Sequence, residues 1–178
     1  MRAPAAAMLA LLALAPFAPA VVVDRVAIRV GTRVIAASEM ELRVRLAAFQ
    51  NHEPVQLTPA RLKEAGQALI DQRLVGREMD IGHYPHLDPQ KRDELLPAYT
   101  KQWYGGDAGA MAADLARYGL TPDDLEEDLA RQVDLLTFLG LRFRVNEENN
   151  EGNAELDAWL KEQRSRTPIQ YLDEEFAP

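Results

Sequence analysis

A mostly α-helical domain of about six helices, with short N- and C-terminal β segments paired to each other, is the fold class this 178-residue chain predicts. Three observations predict it. Apolar residues recur near period two only at the start of the domain, from Val21 to Ile35. From Ser38 to Arg166 they recur at spacings of three and four, behind a series of helix-start signals. After Pro168 the chain turns extended again at Ile169, Tyr171 and Leu172. Isolated strands are not stable, so the two terminal β segments are expected to pair.

In the first β segment Val22, Val26, Ile28 and Val30 alternate with Asp24, Arg25 and Arg29, Gly31-Thr32 is a turn, and Val34-Ile35 resumes. Ser38 with Glu41 has the form of a capping box, and Leu42, Leu46 and Phe49 follow on one face of a helix ending near Asn51 or Pro54. Thr58-Pro59 opens a second helix with the stripe Leu62, Leu69, Ile70 and Leu74. Gly76 weakens its last turns and Gly82 stops it. His83 to Leu87 reads as a loop, Asp88-Pro89 opens a third helix through Trp103, and Gly105-Gly106 breaks it. A fourth helix runs from Asp107 to Tyr118 and stops at Gly119. Thr121-Pro122-Asp123-Asp124 is the cleanest start in the chain, with Leu125, Leu129, Val133, Leu136 and Leu139 as its stripe. Residues 145–153 read as a polar loop, and 154–166 as a last helix presenting Leu156, Trp159 and Leu160 to the core.

Residues 1–20 have the form of a secretory signal peptide. Arg2 is followed by the apolar run Ala5–Ala15 and by Ala18-Pro19-Ala20, a small-x-small cleavage site. The run falls short of the ~20 apolar residues that span a bilayer. The competing assignments are an uncleaved anchor or a buried helix. Pro16 and Pro19 favour cleavage by breaking a helix just before the cut. No Cys follows the cut, which excludes a lipoprotein anchor. The mature chain, 21–178, is then a single domain with core helices 38–143 and a closing helix and strand over 154–172.

The chain has no Cys, hence no disulfide framework and no thiol nucleophile. Its formal net charge is −8, and losing Arg2 with the leader makes that −9. Nucleic acid and anionic lipid call for basic patches, so neither is an expected partner. The catalytic repertoire is small. The three histidines, His52, His83 and His86, lie near no Gly-x-Ser-x-Gly turn. His83 and His86 with Asp88 could contribute to a metal site, but they sit in a loop without a third nearby His, so neither a metal nor a cofactor is expected. The acidic run Asp123, Asp124, Glu126, Glu127, Asp128 lacks the alternation of an EF-hand loop and reads as a solvated helix face. Trp103, Tyr104, Met111 and Tyr118 lie in a weakly patterned stretch rich in Gly and Ala. They could line an apolar groove for a partner, or be core.

Four segments together resemble the N-terminal, peptide-binding module of SurA-like periplasmic chaperones. Asp24–Leu46 (DRVAIRVGTRVIAASEMELRVRL) is similar to the opening of that module, and Leu69–Gly82 (LIDQRLVGREMDIG) to its second-helix motif. Tyr118–Phe143 resembles its Gly-Leu-Thr-x-x-acidic-Leu helix, and Ala158–Leu172 its last helix and strand. The likeness touches nearly all of the mature chain, in the right order. It departs from the family where parvulin-type prolyl isomerase domains are inserted. Here Val145–Ala154 leaves only about ten residues, against roughly a hundred for a small domain. The loop His83-Tyr84-Pro85-His86 departs as well.

The resemblance implies an ATP-independent periplasmic holdase in outer-membrane biogenesis, without isomerase activity. Its partners would be unfolded exported polypeptides, above all outer-membrane protein precursors. Trp103, Tyr104, Met111 and Tyr118 would be the client-binding residues. No stable membrane insertion is expected once the leader is removed, and a homo-oligomer remains open. The alternative is a non-catalytic scaffold or dimerisation module of an envelope complex.

Overall fold

A computed structural model describes residues 24–143 and 151–177. Residues 1–20, expected as a leader with its cleavage site, and residues 145–150 of the expected polar loop lie outside the described residues. The domain is mostly helical, with a three-stranded antiparallel sheet built from both ends of the chain.

β1 (Val26–Val30) and β2 (Arg33–Ala36) form a hairpin. Gly31 takes the positive φ, 60°, that the first central position of a tight hairpin turn needs. β3 (Ile169–Tyr171) pairs with the other edge of β1, so the order is β2-β1-β3. The ladder runs past the strand, because Gly31 donates to Pro168 O (2.9 Å) and Leu172 to Ala27 O (2.9 Å). The expected alternation fails at one place. The register shifts between Val26 and Ile28, which turns Ala27 inward to full burial and leaves Val26 exposed.

α1 (Ala37–Gln50) starts directly from β2. The capping box expected at Ser38 and Glu41 is displaced. Ala36 is still paired with Val26, so the helix begins at Ala37, and the carboxylate in reach of the free amide is Glu39, which accepts from Ala36 N (2.9 Å). Ser38 instead donates its hydroxyl to Asp24. α2 (Pro59–Ile81) begins at Thr58, whose hydroxyl accepts from Arg61 N (3.3 Å), and continues through both Gly66 and Gly76. Gly66 is there for contact: a Cβ on it would sit 3.1 Å from Ile28 Cδ1 and from Met40 Cε. The helix stops at Gly82 as expected, but the left-handed residue is His83, φ 51°.

The third expected helix is two. α3 (Pro89–Arg92) is a single turn, and α4 (Leu95–Tyr104) restarts after it. Pro97 explains the break, because it has no N–H for the Asp93 carbonyl and its ring crowds that carbonyl. α5 (Ala108–Arg117) is capped by Asp107, and Gly119 (φ 68°) follows its end. α6 (Pro122–Arg142) carries a full capping box: Thr121 Oγ1 accepts from Asp124 N (3.2 Å) and Asp124 accepts from Thr121 N (2.8 Å). α7 (Glu151–Arg166) takes in residues 151–153, which had been expected as loop.

Three apolar clusters hold these parts. The sheet packs on α1 and α2 through Ile28, Ile35, Met40, Ile70 and Leu74, with Phe176 from the C-terminal 3-10 turn (Glu174–Phe176) inserted among them. Leu46 and Phe49 of α1 meet Met111, Leu115, Leu120 and Leu125. Val75 and Met79 of α2 meet Phe138 of α6 and Trp159 of α7. Arg164 fastens α7 to α2, donating to Asp71 Oδ1 (2.7 Å), Gln67 Oε1 (2.7 Å) and the Gln67 carbonyl (3.0 Å).

Candidate functional site

α6 acts as an arch. Its first turns pack on α1 through Leu125, and its later turns on α2 through Phe138, both fully buried. Beneath the middle of the arch lies an open cavity of about 470 Å³. Its apolar lining comes from four helices: Leu42 and Leu46, then Leu69, Val75 and Met79, then Leu135, then Leu156 and Leu160. A volume of this size falls in the range that accommodates a compact ligand or a few side chains of a peptide.

The rim is charged and internally paired. Arg33 is hydrogen-bonded to Asp80, Arg73 to Glu39, and Arg131 to Glu127 (2.7 Å). Asp128 is buried at 4% exposure, which overturns the expectation that the whole acidic run is a solvated face. A buried carboxylate needs partners, and this one has four. Gln50 and Gln132 donate to Oδ2 (2.8 and 2.7 Å), while Arg43 and Arg131 lie 3.6 Å from Oδ1.

His86 stands at the mouth. Its Nδ1 is 2.9 Å from Asp134 of α6 and its Nε2 is 3.6 Å from Asp80 of α2. The hydrogen bond to Asp134 and the negative charges of Asp134 and Asp80 hold its pKa above the usual histidine value, against a smaller opposing effect of burial. Leu87 N also donates to Asp134 (2.6 Å), so the loop is tied to α6 twice. Among the described residues no group of three or more His, Asp or Glu converges on a metal-sized site.

The four residues expected to meet clients are not gathered on one open surface, and none lines either cavity. Trp103 is 60% exposed and packs loosely against Tyr99, with ring centroids 6.3 Å apart. Tyr104 is half-buried and donates its hydroxyl to Asp114 (2.6 Å); burial first, then that carboxylate, raises its pKa. Met111 is core, 3% exposed, with the Thr100 hydroxyl against its sulfur. Tyr118 stands edge-on to Phe49 at 5.4 Å. The expected stripe of α6 is also redistributed: Leu136 is 67% exposed, and Phe138 takes the buried position. One signal for the groove was present in the sequence. Leu135, Leu136, Leu139 and Leu141 spread apolar surface over more of the helix than one packed neighbour covers.

A second, smaller cavity of about 240 Å³ lies between α1 and α2 near their connection, lined by Val44, Ala47, Ala48, Pro54, Ala65 and Ala68 and by polar side chains. The chain matches no protein-family model and no curated protein.

Proposed function

We propose that this protein is an ATP-independent holdase of the periplasm that binds unfolded exported polypeptides, outer-membrane protein precursors in particular, without catalysing prolyl isomerisation. The observation that carries the proposal is the groove under α6, with nine aliphatic or Met side chains in its lining together with charged residues. Apolar clients gain from contact with such a lining whatever their order of residues, and a Met in the wall adapts to different shapes. The order of elements, hairpin, helices, closing helix and closing strand, agrees with the resemblance to SurA-like chaperones.

The test is suppression of aggregation. An unfolded β-barrel protein diluted from urea should stay soluble in the presence of this chain, and a soluble protein refolded beside it should be unaffected. Leu135→Ser with Leu42→Ser should abolish the effect while keeping helical circular dichroism. No suppression by the parent chain would sink the proposal. An X-Pro peptide assay should show only the uncatalysed rate.

The rival, a scaffold of an envelope complex, draws support from Leu136 and Leu141, which are 67% and 59% exposed on α6. That role would show as one tight partner and indifference to unrelated unfolded clients.

A further inference from the structure

Two residues, Arg43 and Ala68, line both the groove and the smaller cavity. Ala68 contributes a single methyl, so Arg43 is the one charged side chain common to both linings. It is also the arginine with hydrogen-bonding capacity to spare. Of the four arginines lining the groove, Arg33, Arg73 and Arg131 each donate a hydrogen bond to a carboxylate. Among the described residues Arg43 makes none. Its one ion-pair partner among the described residues is Asp128 at 3.6 Å, beyond hydrogen-bonding distance, and its side chain is 39% exposed. A guanidinium has five donors in a fixed fork that matches a carboxylate. Asp128 takes only the Nη1 side of that fork, because its Oδ1 lies 3.6 Å from Arg43 Nη1 and is shared with Arg131 at the same distance.

We propose that Arg43 is a specificity-determining residue: it selects extended polypeptide segments that carry one acidic residue between two apolar stretches, with the acidic side chain on its guanidinium and an apolar stretch in each cavity. The preference belongs to the junction and not to the whole surface, since Glu53 and Glu64 also line the smaller cavity and the chain as a whole is acidic. This rests on the groove being the client site.

The experiment uses fluorescent nine-residue peptides with four apolar residues on each side of a central Glu, Gln or Lys. The parent protein should bind the Glu peptide roughly five-fold more tightly than the Lys peptide, the scale of one partly exposed charged contact, with the difference shrinking in high salt. Arg43→Gln should bring the three affinities within about two-fold of one another while still binding the Gln peptide. Arg43→Lys should keep the direction of preference but reduce it, because an ammonium lacks the planar fork. Arg43→Met, which also removes the charge while keeping the apolar stem, serves as the decisive variant if Arg43→Gln lowers the urea midpoint. Arg29→Gln, at an exposed position of β1, should change nothing. Equal affinities in the parent, or an undiminished preference in Arg43→Gln, would overturn the role of Arg43 and leave the groove standing. Failure of all three peptides to bind the parent would overturn both.

Discussion

On the side of α2 that meets the sheet, a Cβ added at Gly66 would lie 3.1 Å from Ile28 and Met40, and both of those are fully buried. On the side that meets α6, the same helix borders about 470 Å³ of open groove. Both sides carry large apolar residues, Ile70 and Leu74 toward the sheet and Val75 and Met79 toward α6, and the groove side adds Asp71, Gln72 and Arg73. The difference lies in how the partner is held. The sheet is pinned along its length by β1, by β3 and by Phe176. α6 is held by Leu125 and Leu129 near its start, by buried Ala130 and by Phe138 near its end, and toward the groove it makes polar contacts through Asp128 and Asp134. Close packing along a whole interface yields stability, and support at two ends leaves apolar surface accessible.

The largest expected effect tests the closed side. Truncation after Gly152 removes β3, Phe176, Trp159 and the three hydrogen bonds of Arg164. Each large buried side chain is worth ~2 kcal/mol or more, against a total stability of ~5–15 kcal/mol. The product should aggregate or lose most of its urea midpoint, and an unchanged midpoint would show that the sheet does not need its third strand.

Two substitutions on α6 sharpen the contrast. Phe138→Ala should cost about 3–5 kcal/mol, since Phe138 is fully buried against Trp159, Phe143 and Tyr84. Leu136→Ser, two residues away and 67% exposed, should cost less than about 1 kcal/mol. Similar losses from both, measured by urea unfolding, would mean that the arch has no open face.

The mouth of the groove gives a smaller, pH-dependent effect. His86 has a raised pKa through Asp134 and Asp80, so it contributes stability that is fully present below its ordinary value of 6.5 and is lost as pH rises through the folded value. The parent should therefore gain more than His86→Gln on going from pH 8.5 to 5.5 in paired urea titrations. Because His86 is half exposed, the difference should be slight.

The smallest effect belongs to neither side. His52 sits after α1 with φ 54°, a left-handed conformation that costs a residue with a Cβ about 1 kcal/mol. His52→Gly should raise the thermal midpoint by a degree or two without changing peptide binding; a fall would mean that the imidazole has a partner worth more than the strain.

The sequence by itself determined the helical class, most helix boundaries and the pairing of the chain ends. Thr58-Pro59, Asp107 and Thr121-Pro122 start helices because a side-chain oxygen reaches an amide three residues on, and that reach depends on nothing distant. Gly31 and Gly119 mark reversals for an equally local reason, their positive φ. The tertiary structure alone decided what each apolar stripe meets. It moved the α1 cap from Ser38 to Ala36 through strand pairing with Val26, buried Asp128 out of an acidic run, put Met111 in the core, and left Leu136 in solvent. It also brought Arg43 into the lining of two cavities. Periodicity says that a helix has an apolar face. Whether that face is covered depends on segments far along the chain, whose approach is set by packing, and no window of a few residues contains it.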